Sequence, residues 1–168
     1  MHVVKSDPGL SKDATYRGVN AQLAGLFSGE RNGLANSANM CALLYQMLPD
    51  VNWVGFYFLH GAELVLGPFQ GKVACVRIAV GRGVCGTAAE RRESLVVPNV
   101  NEFPGHIACD AASRSEIVLP LIQHGRLLGV LDLDSPSLAR FDAEDRDGLE
   151  VSVDLLLKSS QLSPAMHL

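Results

Sequence analysis

Residues 115–134 read "SEIVLPLIQHGRLLGVLDLD". Two apolar runs flank a His124–Gly125 pair, a spacing that predicts a hairpin with a two-residue turn and therefore neighbouring antiparallel strands. Residues 51–69, "VNWVGFYFLHGAELVLGPF", repeat the pattern around His60 and Gly61. Two hairpins imply a mostly antiparallel sheet, which bears on a third stretch. "GRGVCG", residues 81–86, matches the glycine spacing of a dinucleotide-binding turn, with Glu102 at a tolerable distance to serve as its ribose acid. That fingerprint works only behind the first strand of a parallel βαβ unit, and hairpins on either side deny it that setting. The glycines are read instead as a tight entry into a short helix beginning near "CGTAAERRE".

Outward from the hairpins, helical spacing takes over. Tyr16, Val19, Leu23, Leu26 and Phe27 recur on one helical face behind a cap at Ser11, and Leu34, Ala38, Cys41, Leu44 and Leu48 do so in a second helix that Pro49 stops. "SGERNG" between them reads as a turn. A last helix starts at Asp142 and runs through Leu149, Val153, Leu156 and Leu157. The expected organisation is one α+β domain over 1–168, with an extended arm at 1–10, a helical hairpin at 11–48, the sheet and its loops at 51–134 and a C-terminal helix at 142–160.

A chain of 168 residues is long enough to bury a core without covalent staples. Its net charge of −4 offers no basic field, which argues against nucleic acid and anionic membranes as partners. The N-terminus lacks the apolar stretch of a signal peptide and no later segment is apolar for a membrane span, so a cytoplasmic protein is expected. Thiols stay reduced in that compartment. The four cysteines are therefore read as catalytic, metal-binding or core residues rather than structural disulfides.

Cys41 lies on the apolar stripe of the second helix and reads as core. Cys75, Cys85 and Cys109 fall instead in turn-rich segments, "QGKVACVRI", "GRGVCGTAA" and "PGHIACDAAS". Three small buried residues would account for them. A zinc site is a third and weaker reading, because no CxxC pair occurs and the histidines do not sit at the short spacing from a cysteine that structural zinc favours, and no metal is expected. Thiol redox chemistry needs one thiolate to attack and a second thiol to resolve the oxidised product, and three loop cysteines can supply both. Cys109 has the most suggestive surroundings: His106 nearby, and a helix expected to begin at "DAAS" whose dipole would favour a thiolate.

Carboxylates supply a second pattern. Alternation along "GVLDLDS" places Leu128, Val130, Asp132 and Asp134 on one strand face, so that an apolar face turns acidic at the strand end. Glu116, opening the preceding strand, can join them across the hairpin. Crowded carboxyls raise at least one pKa and leave a proton to donate. Trp53 and Tyr57, four apart on a strand, share a face and could wall a pocket for a small cationic or zwitterionic ligand; core packing explains the two rings as well.

Taken together, "NWVGFYF", "GPFQGKVACVRI", "GRGVCGTAA", "FPGHIACDAASRSEIVLPL" and "GVLDLDSPS" resemble the free methionine-(R)-sulfoxide reductases, which are built on a GAF domain. The resemblance implies a central antiparallel sheet of about six strands with helices packed mainly on one side. It also implies roles. Cys109 would attack the sulfoxide sulfur of free methionine sulfoxide and Cys75, or Cys85, would resolve the resulting sulfenic acid as a disulfide. Thioredoxin, fed by NADPH through its reductase, would reduce that disulfide, and no bound cofactor is needed. Glu116, Asp132 and Asp134 match the carboxylates that act on the sulfoxide oxygen and the substrate ammonium, while Trp53 and Tyr57 would line the methyl-sulfur end. A homodimer is the expected assembly. The rival expectation is a ligand-binding or redox-sensing GAF module without turnover.

Overall fold

The structure is a computed structural model that describes residues 7, 9–107 and 110–162. Most of the expected 1–10 arm and the expected nucleophile Cys109 lie outside the described residues. The chain opens with helices α1 (Lys12–Phe27) and α2 (Gly33–Met47). Ser11 caps α1 by accepting from the Ala14 amide, and Asn32 caps α2 by accepting from Ala35, each satisfying one of the donors a helix start leaves open.

Strands β1 (Trp53–His60) and β2 (Glu63–Gly71) form the first hairpin, followed by the short strand β3 (Arg77–Ala79), helix α3 (Gly83–Arg91) and the short strand β4 (Leu95–Val97). Strands β5 (Ser115–Gln123) and β6 (Arg126–Ser135) form the second hairpin, and helix α4 (Ala143–Ser159) follows. His124 (φ 51°) and Gly125 (φ 75°) both take the left-handed conformation that such a two-residue turn requires. The six strands form one antiparallel sheet in the order β3-β2-β1-β6-β5-β4, as the paired hairpins predict.

Alternation along the central strands divides the sheet into two faces. Val54, Phe56 and Phe58 of β1, Ile117, Leu119 and Leu121 of β5, and Leu131 and Leu133 of β6 join α1, α2 and α4 in the larger apolar core. Trp53, Tyr57, Val118 and Val130 point the other way and pack with α3.

Three expectations fail for local reasons. A bulge between Leu121 and Ile122 inserts an extra residue opposite β5, so Leu128 turns to the helical core while Leu127 joins Val130 on the α3 face. In α2 the buried stripe runs through Asn36, Ser37, Met40, Cys41 and Leu44, whereas Leu34 and Ala38 are exposed. Asn36 can be buried because its amide donates to the Glu30 carbonyl and the Ser160 hydroxyl. No helix starts at "DAAS" among its described residues: the Asp110 side chain accepts from the Ala112 amide and closes a turn instead.

Candidate active site

Register assembles the site. Across β1, β6 and β5, Trp53 stands opposite Asp134 and Asp134 opposite Glu116; the next row on that face is Gly55, Asp132 and Val118, and Tyr57 lies opposite Val130 beyond it. Two aromatics and three carboxylates thus share one sheet face, as the strand patterns predict. Gly55 is the gap that admits the indole: a Cβ there would stand 2.3 Å from the Trp53 ring. Trp53 stacks on Phe69 at 5.5 Å and on Tyr57 at 6.0 Å.

The polar ends of both rings tie down a loop. Trp53 Nε1 donates to the Lys72 carbonyl at 3.0 Å, and the Tyr57 hydroxyl donates to the Cys75 carbonyl at 2.9 Å. These two bonds hold the β2–β3 connection, and Cys75 with it, over the sheet face. Cys75 is disulfide-bonded, whereas Cys41 and Cys85 are free thiols.

Helix α3 closes the other side. Gly81 (φ 84°) and Gly83 (φ 61°) both adopt left-handed backbone, and a Cβ on Gly86 would lie 2.4 Å from the Ala79 carbonyl oxygen. The "GRGVCG" glycines therefore permit a tight entry and a close approach of backbone to backbone, as read from sequence. Arg82 caps α3 without any side-chain hydrogen bond. Arg82, Gly83, Val84 and Cys85 line the same cleft as Trp53, Tyr57 and the three acids.

Inside that cleft Cys85, Glu116 and Asp132 are almost fully buried. Cys85 Sγ donates to Glu116 Oε1 at 3.8 Å, and burial followed by the charges of Asp132 and Glu116 pushes its pKa well up. Cys85 is thus a thiol rather than a thiolate. Burial, then the neighbouring Asp132 and Asp134, raises the Glu116 pKa far above the ordinary carboxyl range. Burial raises Asp132 to about 6, and burial with Asp132 and Asp110 raises Asp134. Near neutral pH the crowded acids accordingly retain protons, with Glu116 and Asp134 shifted further than Asp132. His106 Nε2 lies 4.0 Å from Glu116 Oε2, with its pKa lowered by burial, so it faces the cluster as a neutral ring.

The GAF domain family matches residues 33–157. The chain is 53% identical over 149 residues to the free methionine-R-sulfoxide reductase of Escherichia coli (strain K12), covering 89% of this chain and 90% of that one. The chain belongs to the free methionine-R-sulfoxide reductase family. Another relative of that name, from Saccharomyces cerevisiae, is 43% identical, with 89% of this chain and 88% of the relative covered. Among solved structures, the free methionine-R-sulfoxide reductase from Neisseria meningitidis in complex with its substrate superposes with a TM-score of 0.90 at 44% identity, over 95% of each chain.

For this member of the reductase family, Cys75, Cys85, Glu116, Asp132, Asp134, Trp53 and Tyr57 all border one cleft or the loop anchored over it. The sequence reading missed Asp110 and Ser113 as lining residues and missed that both rings anchor the Cys75 loop. Alternation can assign a face to a ring, but nothing in a strand pattern says which loop carbonyl its polar atom will reach.

Proposed function

We propose that this protein reduces the R epimer of free methionine sulfoxide to methionine by thiol chemistry. One observation carries the reading: a buried carboxyl held protonated, Glu116, shares a cleft with ionisable Asp132 and aromatic walls beneath the loop that holds the disulfide-bonded Cys75. A sulfoxide is a weak electrophile whose oxygen must gain a proton as its sulfur is attacked. Glu116, with Asp134 as its partner, is placed to give that proton. Asp132 engages the substrate ammonium, the open amides at the start of α3 face its carboxylate, and Trp53 and Tyr57 pack the methyl-sulfur end.

In the proposed sequence the Cys109 thiolate attacks the sulfoxide sulfur, the oxygen passes to Cys109 as a sulfenic acid, and methionine leaves. The Cys75 thiol then attacks the sulfenic sulfur, forming a disulfide and expelling the oxygen as water. In balance, two thiols and one sulfoxide give a disulfide, methionine and water. A disulfide at Cys75 and a free, buried, protonated thiol at Cys85 support Cys75 as the resolving residue. Thioredoxin is the proposed reductant of the disulfide, which places the enzyme in a reducing cytoplasm, and a homodimer of single-domain chains is the proposed assembly. No described helix is long and apolar enough to cross a membrane.

The test supplies purified protein with thioredoxin, thioredoxin reductase and NADPH, and offers the free R epimer, the free S epimer and a peptide-bound sulfoxide separately. Consumption of only the free R epimer is expected, with complete loss in Cys109→Ser and a single turnover in Cys75→Ser. Turnover of none of the three would overturn the reading, and a Cys75→Ser protein that recycles normally would overturn the assigned resolver.

A further inference from the structure

Cys85, Glu116 and Asp132 offer a thiol sulfur and two carboxylate oxygens, all within 4.8 Å of one another. Those are ligand types that zinc accepts. Cys85 Sγ and Glu116 Oε1 stand 3.8 Å apart; two ligands of a tetrahedral zinc, bonded at about 2.3 Å through sulfur and about 2.1 Å through oxygen, stand about 3.6 Å apart. Relative exposures of 5% for Cys85 and 6% for each acid shield the three from competing solvent. Independently, Asp132 Oδ1 is buried with no hydrogen-bond partner, an open acceptor within the cluster. Such an orphaned atom is costly unless something satisfies it.

We propose that Cys85, Glu116 and Asp132 form a three-ligand site for borderline and soft divalent cations such as Zn²⁺, Cd²⁺ and Co²⁺, with water completing the tetrahedron. On binding, a metal–sulfur bond forms, the Cys85 thiol proton and the proton held by the acids pass to solvent, and no electron moves. Hard cations are excluded by chemistry and number: Mg²⁺ and Ca²⁺ require about six or more oxygen ligands, and this enclosed set provides two with a sulfur. The site coincides with the position assigned to the substrate ammonium. Bound metal therefore competes with substrate, a consequence that rests on the reductase reading, whereas the binding itself does not.

The experiment titrates the protein in its Cys75-disulfide form with Co²⁺ alone and follows the thiolate-to-cobalt charge-transfer absorption, then displaces Co²⁺ with Zn²⁺. One equivalent with a thiolate band is expected. Cys85→Ser should abolish the band, Asp132→Asn should weaken affinity about 10- to 100-fold, and Cys41→Ala, altering a core thiol, should change neither. Circular dichroism confirms that each variant is folded before titration. Absence of a thiolate band in the parent protein, or a band that survives Cys85→Ser, would overturn the proposal. The titration contains neither sulfoxide nor reductant, so its failure is distinct from failure of the reductase reading. In turnover assays Zn²⁺ should raise KM without lowering kcat; a fall in kcat at unchanged KM would overturn placement of the metal in the substrate position.

Discussion

Tyr57 joins two steps of the proposed reaction, because its ring walls the substrate cleft while its hydroxyl holds the Cys75 carbonyl at 2.9 Å. Tyr57→Phe keeps the wall and removes the tether. A hydrogen bond of this kind contributes about 0.5–1.5 kcal/mol, so disulfide formation should slow by about two- to tenfold while the first methionine forms at the parent rate. Rapid-quench single turnovers, scoring methionine and free thiols separately, would show it; slowing of both steps together would mean that the hydroxyl serves the substrate instead. Glu116 makes a sharper prediction. Its raised pKa keeps the proton that the sulfoxide oxygen needs, so activity should decline at alkaline pH as Glu116 ionises, and decline below about pH 6 as Asp132 protonates and loses the ammonium. Glu116→Gln should lower kcat by about 10²–10⁴-fold and abolish the alkaline limb, measured across a buffered pH series. These acids were legible in the sequence because strand alternation and a hairpin turn dictate which side chains meet. The tether was not, since it joins residues 18 positions apart through a loop whose path follows from packing.

The helices and strands differ in how openly their sequences declare them. The β5–β6 hairpin is specified by apolar alternation and a two-residue turn, yet the bulge at Leu121/Ile122 that moves Leu128 to the opposite face leaves no mark in an alternating pattern. Helix α2 misleads for another reason: its buried face includes Asn36 and Ser37, and a search for apolar recurrence passes over a polar residue such as Asn36, whose partner Ser160 lies far along the chain. The attachment of α1 to α4 has the same character. Asp145, fully buried, serves the capping box of α4 and also receives Lys12 Nζ at 2.5 Å, Arg140 Nη1 at 3.0 Å and the Tyr16 hydroxyl at 2.8 Å. Removing that carboxylate strands a cation and a phenol in the interface. Asp145→Ala should cost about 3–5 kcal/mol in urea unfolding, far above the effect of an exposed ion pair. The intrahelical pairs Asp13–Arg17 of α1 and Asp154–Lys158 of α4 provide that exposed comparison, and Asp13→Ala should change stability by less than about 0.5 kcal/mol. Equal effects at Asp145 and Asp13 would remove the interface argument.

One sheet divides the molecule's work between its faces: the helical face holds the larger apolar core, and the α3 face, with the smaller one, gathers acids that burial makes unfavourable as anions. The site should therefore weaken the fold that carries it, and the pH dependence of stability should reveal by how much. Asp132 binds its proton more tightly when folded, its pKa rising from 3.8 to about 6. A carboxyl shifted upward stabilises the fold below its unfolded pKa and loses that contribution as pH rises through the folded one. Stability should thus fall between about pH 4 and pH 6 as Asp132 ionises beside Glu116, Asp134 and Cys85, the groups that face it. Asp132→Asn removes the titration while keeping the shape, and its amide can donate to Glu116. The variant should lose activity yet gain on the order of 1–3 kcal/mol at pH 8, with the gain absent at pH 4. Thermal melts of both proteins at the two pH values are sufficient to check it: a gain of equal size at both would trace to packing, and a loss at pH 8 would mean that the Asp132 carboxylate is stabilised by its surroundings, contrary to the burial that gives the cleft its acid.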